Sequence, residues 1–238
     1  QTCALPISLQ RLVQGVDLVV HVAGVVKALN PADFQAVNEG GTVGVLTALA
    51  TDNPTARLIH ISSIAAREPQ LSPYAASKRA AETAVERLSA GRKWVILRPP
   101  AVYGPADLEI LPLFKAAAAG ICLYPAATGA RLSLIHVQDL AAAVAALAGT
   151  AEWPQERYEV DDGQAYSWDD IRRGLSDAFG QPLRGCRLAR PFIYPIAWIS
   201  QLLQVLTNAP RVLTLAKIPE LYHPDWVARG PKLERDSG

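Results

Sequence analysis

The chain has 238 residues, half of them hydrophobic, and its 23 Lys and Arg nearly balance its 22 Asp and Glu. A chain of this length can bury one sizeable core, or one core with an appended lobe. A formal net charge of +1 gives no long-range field that would attract nucleic acid or an anionic membrane, so we expect no nucleic-acid partner.

The cysteines do not form a metal-binding pattern. Cys3, Cys122 and Cys186 are isolated in the sequence and show neither C-x-x-C nor mixed His/Cys ligand spacing. This usage is typical of a reducing compartment. We therefore expect a cytoplasmic protein that holds no metal ion.

The chain opens with QTCALPIS, without an initiator Met and without a charged start followed by a long apolar run. We expect no signal peptide and interpret residues 1–8 as a non-native artefact outside the fold. The tail of a helix is predicted around residues 9–15.

The first strand is predicted over residues 17–22, a mostly β-branched apolar run of the kind buried in a parallel sheet. His21 lies in this strand, and we expect it to be packed and hydrogen-bonded rather than a ligand. Ala23 and Gly24 follow, and a glycine lets a loop approach a ligand closely. A helix is predicted over residues 31–50, and its glycines at 40, 41 and 44 indicate close packing there. A structural interpretation of Asn38 is an amide that bonds the backbone where this helix is irregular.

The next strand, residues 57–63, ends in Ser62 and Ser63, and an Ala-, Glu- and Arg-rich helix is predicted over residues 73–90. Tyr74 and Lys78 lie one turn apart on this helix. An ammonium beside a phenol favours the phenolate and lowers its pKa from about 10. Tyr74 could then exchange a proton with a substrate hydroxyl or carbonyl, and Ser63 could bond the same oxygen. Alternatively, the pair is an ordinary feature of an amphipathic helix.

A strand over residues 94–97 must stop at Pro99 and Pro100, which cannot donate to a ladder. Strands that alternate with helices predict an α/β fold with a doubly wound parallel sheet, whose ligands bind at the carboxyl ends of the strands. Gly24, Ser63 and Pro99 all fall at or just past such ends.

The second half of the chain predicts a helix over 108–119, a Pro- and Gly-containing loop over 122–132, and a strand over 133–137. A helix over 139–148, a strand over 157–160 and a further helix from the N-cap Ser167 to Phe179 follow, the last ended by Gly180. We interpret the four nearby carboxylates as turn and cap residues rather than metal ligands: Asp161, Asp162, Asp169 and Asp170.

Residues 191–210 contain no charged side chain but are interrupted by polar ones. A spanning helix needs about 20 predominantly apolar residues, so an amphipathic helix that covers a substrate pocket is favoured. A helix lying in a membrane interface is the second interpretation, although the basic polar face typical of such helices is missing.

Five motifs in order carry a resemblance to a known family: VDLVVHVAG (16–24), NEGGT (38–42), YAASK (74–78), RPPAVYGP (98–105) and IHVQDL (135–140). Together they resemble the extended short-chain dehydrogenase/reductase family of NAD(P)-dependent epimerases, dehydratases and 3-beta-hydroxysteroid-dehydrogenase-like enzymes. The resemblance implies a Rossmann-like doubly wound sheet that lacks its first strands, with a smaller C-terminal substrate lobe.

By this resemblance, Tyr74 is the general acid/base, Lys78 lowers its pKa and holds the nicotinamide ribose, Ser63 polarises the substrate oxygen and Asn38 completes a proton relay. The cofactor is NAD or NADP, and the residues expected to contact it are Ala23, Gly24, Tyr74, Lys78, Pro99 and Val102.

The family's glycine-rich turn, which holds the cofactor pyrophosphate, is absent from this sequence. We therefore expect residues 9–125 to form a partial NAD(P)-binding domain and residues 126–238 to supply the remaining sheet strand and a mostly helical substrate lobe. In this form the chain is expected to be inactive and to bind NAD(P) weakly.

The expected activity is oxidoreduction or epimerisation at a hydroxyl or carbonyl carbon of a small molecule, with a hydrophobic or steroid-like alcohol favoured as substrate. A nucleotide-sugar epimerase or dehydratase and a non-catalytic NAD(P)-binding sensor or assembly subunit are the alternatives. Relatives commonly dimerise through the helices that correspond to residues 31–50 and 73–90, so a homodimer is also an expectation.

Overall fold

The computed structural model describes residues 8–89, 91–150, 153, 155–229 and 233. Residues 1–7, with Cys3 and most of the segment interpreted as non-native, therefore lie outside the described residues. Ser8 is described, and its hydroxyl accepts a hydrogen bond from the backbone N–H of Arg11 at the start of the first helix.

The first half of the chain alternates strands with helices, as predicted. Its elements are α1 Leu9–Val13, β1 Leu18–His21, α2 Pro31–Phe34, α3 Gly41–Asp52, β2 Arg57–Ile61, α4 Pro73–Leu88, β3 Trp94–Arg98 and β4 Ala101–Tyr103. A π-helical segment, Gln35–Gly40, joins α2 to α3. The helix predicted over residues 31–50 is thus confirmed, and its irregular part contains Asn38.

The second half adds shorter strands and longer helices. Its elements are α5 Leu111–Ala118, β5 Ile121–Pro125, β6 Arg131–Leu132, β7 Leu134–His136, α6 Val137–Gly149, β8 Glu156–Glu159, β9 Tyr166–Ser167, α7 Trp168–Phe179, β10 Arg184–Leu188, α8 Arg190–Thr207, α9 Ile218–Leu221 and β11 Asp225–Trp226.

The central sheet has the strand order β1-β2-β3-β8, and every pairing in it is parallel. On one face, Leu49 of α3 and Val85 of α4 pack against Leu58 of β2 in a cluster that is almost fully buried. On the other face, Leu147 of α6 packs with the fully buried Tyr158 of β8. A parallel sheet needs this cover on both faces, and the carboxyl ends of all four strands meet at one edge.

The prediction of a loop over residues 122–132 is confirmed for residues 126–130 and wrong at both ends, where β5 and β6 lie. Residues 121–125 form β5, which pairs in parallel with β10 and places Leu123 opposite Cys186. Cys122 is buried and Cys186 half-buried, both as free thiols. The two strands are far apart in the sequence. The local Pro and Gly residues therefore suggested a loop, whereas pairing with the distant β10 makes residues 121–125 a strand.

The ends of α7 follow the predicted cap chemistry. The Ser167 hydroxyl accepts from the backbone N–H of Asp170, whose carboxylate accepts from the Ser167 backbone. Gly180 ends the helix in the left-handed conformation with φ 62°.

The Asp161 carboxylate accepts from the Ser133 hydroxyl at 2.5 Å, in a turn. These contacts are those of a turn residue at Asp161 and a cap residue at Asp170.

Helix α8 is present over much of residues 191–210, and most of its large apolar side chains are exposed rather than packed against the protein. Its buried positions are Ile193, Ala197 and Gln204, whereas Phe192 is 68% exposed and Leu206 is 71% exposed. Among the described helices, none is long and apolar enough to cross a bilayer. Contact of α8 with a membrane surface stays a prediction.

Candidate active site

The carboxyl edge of the sheet opens into a cleft of about 680 Å³, called here the Tyr74 cleft. All the residues expected at the site line it except Ala23, which is exposed on the loop after β1. The residues brought together are Gly24, Asn38, Ser63, Tyr74, Lys78, Pro99 and Val102.

The first turn of α4 positions the two central side chains. The Ser72 hydroxyl caps the helix by accepting from the backbone N–H of Ala75 at 3.0 Å, and Pro73 follows in the first turn. Tyr74 and Lys78 then lie one turn apart and face the same cleft. Tyr74 is half-buried, whereas Lys78 is only 6% exposed.

Burial controls the proton affinities of this pair. It raises the pKa of Tyr74 to about 12, partly offset by a side-chain hydrogen bond with Ser63, while Glu220 raises it further. Burial also lowers the pKa of Lys78 to about 8, against the effect of Glu82. Lys78 is not among the groups that shift the pKa of Tyr74, so the expected lowering by Lys78 is not seen in this structure, where desolvation is the largest effect. The Lys78 ammonium instead donates to the carbonyl of Ile61 at 2.8 Å.

Asn38 joins the loop after β1 to helix α4. Its Oδ1 accepts from the backbone N–H of Val25 at 2.8 Å, and its Nδ2 donates to the Val25 carbonyl at 3.1 Å and to the Ser77 hydroxyl at 2.9 Å. This is the backbone-bonding amide expected in an irregular helix. The relay role implied by the resemblance stays a prediction.

Gly24 is required because the loop after β1 lies close to the side chains of Asn38 and Lys78. A Cβ at this position would lie 2.9 Å from Oδ1 of Asn38 and 3.8 Å from Nζ of Lys78. The first distance is too short for real Cβ atoms, so a side chain here would displace Asn38. The glycine therefore keeps the loop backbone open to the cleft.

His21 behaves as predicted, and a second histidine lies beside it. His21 is buried, and one ring nitrogen lies 3.1 Å from the Thr42 hydroxyl. Its ring centroid is 5.3 Å from that of His60, which is 1% exposed. Burial and the charge of Lys78 lower the pKa of both rings. Both are therefore neutral packing groups beneath the site.

A buried ionic network under the cleft was not predicted. The Glu82 carboxylate, fully buried, accepts two hydrogen bonds from the Arg98 guanidinium at 2.8 and 2.6 Å and one from the Ser62 hydroxyl at 2.6 Å. Arg98 also lies 3.6 Å from Glu159 of β8. The sequence feature that could have indicated this network is Glu82 itself, an acid one turn after Lys78 on a mostly apolar face of the helix.

The C-terminal segment reaches over Tyr74, which no local pattern indicated. The Lys217 ammonium lies 5.0 Å from the centroid of the Tyr74 ring, and it pairs with Glu220 at 2.5 Å. Glu220 also accepts from the Ser72 hydroxyl at 2.5 Å. These contacts connect the start of α4 to the C-terminal lobe.

A parallel sheet covered on both faces, with a cleft at the carboxyl edge of its strands, defines the doubly wound α/β class, which binds its ligands at that edge. The NAD dependent epimerase/dehydratase family matches residues 4–160. The chain therefore belongs to this family, which confirms the predicted family and its NAD- or NADP-dependent chemistry.

The chain is 39% identical to a ceramide reductase of Caulobacter vibrioides over 93% of this chain and 68% of that protein. Its fold is similar to UDP-glucuronic acid 4-epimerase from Bacillus cereus in complex with NAD (TM-score 0.67, 20% identity, 76% of this chain, 65% of that one). It is also similar to RMD from Pseudomonas aeruginosa complexed with NADPH (TM-score 0.62, 23% identity, 73% of this chain, 68% of that one). These similarities confirm the Rossmann-like fold, and the chain spans about two thirds of each of these proteins.

Proposed function

We propose that this chain forms the catalytic part of an NAD- or NADP-dependent reductase that acts on a carbonyl carbon. The observation that carries the proposal is the presence of Ser63, Tyr74 and Lys78 in one cleft at the carboxyl edge of a parallel sheet. The name of the curated relative, a ceramide reductase, supports reduction over epimerisation.

The state of Tyr74 favours a proton donor. With its pKa raised to about 12, the phenol holds its proton at neutral pH. It can donate that proton to a carbonyl oxygen as the oxygen gains negative charge during reduction. Ser63 is hydrogen-bonded to Tyr74, so the two hydroxyls are neighbours. Both would donate to one carbonyl oxygen once the substrate replaces the bond between them, and two such donors stabilise a developing oxyanion.

Lys78 supplies a positive charge beside these donors. Its pKa of about 8 leaves it mostly protonated at pH 7, and its bond to Ile61 fixes the ammonium at the end of β2. Glu82, one turn further along α4, raises the Lys78 pKa and so maintains that charge.

The residues of the cleft fit the nicotinamide end of the cofactor. Gly24 leaves the loop backbone open where any Cβ would meet Asn38, and Pro99 and Val102 add apolar side chains to the lining of the same cleft as Lys78. These residues, with Tyr74, would hold the ring and its ribose. When bound, the nicotinamide supplies the hydride.

The test uses an extended form of the chain that carries a glycine-rich turn upstream of residue 9. We expect this form to oxidise NADH or NADPH in the presence of a ketone, and Tyr74→Phe to lower kcat by at least about 10²-fold with cofactor affinity unchanged. Tyr194→Phe, on the exposed side of α8, is the matched control and should keep full activity.

Three outcomes would count against the reductase. Undiminished turnover in Tyr74→Phe would remove the proposed donor. Cofactor binding without reduction of any ketone would favour the non-catalytic sensor instead, and epimerisation of a UDP-sugar would favour the nucleotide-sugar alternative. The homodimer through α3 and α4 stays a prediction.

A further inference from the structure

A second cavity of about 730 Å³ lies next to the Tyr74 cleft. It is called here the apolar chamber. Four residues line both spaces, so the two are neighbours: Ala101, Glu109, Ile110 and Leu132. Its volume falls within the range of about 300–1,000 Å³ that is usual for ligand pockets.

The wall of the apolar chamber is built from β4, α5, β5, β7 and α7. Large apolar side chains dominate it: Leu113, Phe114, Leu123, Leu134, Trp168, Ile171, Leu175 and Leu188. Phe114 is 39% exposed and Leu123 is 52% exposed. Both thus retain uncovered apolar surface at the chamber, which a ligand of the same character would cover.

The polar groups of this wall are already occupied by the protein. The Tyr166 hydroxyl donates to Asp162 at 2.6 Å, and the Tyr222 hydroxyl donates to the Leu188 carbonyl at 2.5 Å. The Asp170 carboxylate accepts from the backbone and hydroxyl of Ser167 at the start of α7. The chamber thus offers few free partners to a polar ligand.

The charges of the wall oppose an anionic ligand. Among the described residues that line the chamber, Glu109 and Asp170 are acidic and no Lys or Arg is present. Phosphate groups are recognised mainly by Arg and Lys. The only charged residues in the chamber lining that the structure describes are the two acids, Glu109 paired with Lys27 and Asp170 paired with Arg173, so a nucleotide diphosphate placed here would find no lining cation to bind. A neutral hydrocarbon would bury apolar surface without leaving a charge unpaired.

We propose that the apolar chamber binds an alkyl chain of the substrate, whose carbonyl group lies beside Ser63 and Tyr74 in the neighbouring cleft. The substrate class is therefore a lipid-like ketone. The position of the carbonyl rests on the reductase function proposed above, but alkyl binding in the chamber does not.

The test measures binding alone, by calorimetric titration of this chain with straight-chain methyl ketones of increasing length and no cofactor. Each added methylene that enters the chamber should tighten binding about fourfold, the equivalent of its transfer free energy. The gain should stop when the chamber is filled. Because neither cofactor nor turnover is involved, failure here is separate from failure of the reductase function.

Gly174 provides a variant that fills the chamber without opening a cavity. It lies on the same face of α7 as Ile171 and lines the chamber, and a Cβ built on it meets no heavy atom within 4 Å. Gly174→Leu should weaken binding of the longer ketones at least about tenfold, with helicity kept because Leu is the better helix former.

The matched control is Gly149→Leu at the end of α6, where a Cβ is equally free. Its binding should match that of the unchanged chain. Affinity that does not depend on chain length would overturn the proposal. So would an equal effect of Gly174→Leu and Gly149→Leu, since the alkyl chain would then lie elsewhere. UDP binding that Gly174→Leu abolishes would assign the chamber to a nucleotide and overturn it as well.

Discussion

Replacing Glu82 by Gln removes one buried charge and nearly keeps the shape of the side chain. In the structure this carboxylate is fully buried and accepts from Arg98 and Ser62. After the substitution, Glu159, at 3.6 Å, is the one carboxylate partner left to the nearly buried Arg98 among the described residues. Breaking a buried ion pair by removing one partner costs about 3–5 kcal/mol. We expect the free energy of unfolding to fall by about that amount.

The matched control is Glu86→Gln, on the same helix. Glu86 also pairs with an arginine, Arg157, at 3.0 Å, but both side chains are more than one third exposed. An exposed pair contributes at most about 1 kcal/mol. The two substitutions change the same chemical group on α4, and only burial separates their expected effects.

The assay is urea unfolding at pH 7, followed by circular dichroism, with the free energy extrapolated to zero urea. Equal losses in Glu82→Gln and Glu86→Gln would refute the argument that the buried network stabilises the site. In addition, Glu82→Met combined with Arg98→Met should recover part of the loss, because no unpaired buried charge then remains between these positions.

The other predictions concern single groups near the cleft. Within the described part of the chain, neither ring nitrogen of His60 has a hydrogen-bond partner, and burial holds its pKa well below 6.5. The unfolded chain therefore binds the proton first, so stability falls as the pH drops below about 6.5, by up to about 1.4 kcal/mol per pH unit. His60→Leu should reduce this slope in urea unfolding at several pH values, and an unchanged slope would contradict the prediction. Gly24→Ala should cost about 1–3 kcal/mol by displacing Asn38, whereas Gly41→Ala, in open space, should be neutral or stabilising. Reductase activity of the extended form should decline as the pH rises through about 8, where Lys78 loses its proton; a rate that rises there would contradict its role.

Features that depend on local sequence were predicted well. The Ser167 cap and the Gly180 stop of α7 are confirmed at the predicted residues, because capping involves groups a few residues apart. The alternation of strands and helices is also confirmed in the central sheet, because the pattern of apolar residues that predicts each element is local in the sequence. By contrast, β5 was missed, since its state depends on pairing with β10.

In the candidate site, too, the features encoded locally in the sequence were predicted, and those that depend on distant segments were not. Motif positions indicated Ser63, Tyr74 and Lys78, and the fold brings them to one cleft. The direction of the Tyr74 pKa shift was not predictable, because desolvation depends on segments that are distant in sequence, including the one that carries Glu220. Arg98 lies in the RPPAVYGP motif, but its pairing with Glu82 could be identified only from the packed structure.

The most direct test of the proposed reductase function follows a deuterium label from nicotinamide C4 of the reduced cofactor to a ketone, in the extended form of the chain. We expect the label on the carbinol carbon of the product, and we expect Tyr74→Phe to slow its transfer at least about 10²-fold while the cofactor stays bound. Label transfer at an unchanged rate in Tyr74→Phe, or a product alcohol without label, would contradict it.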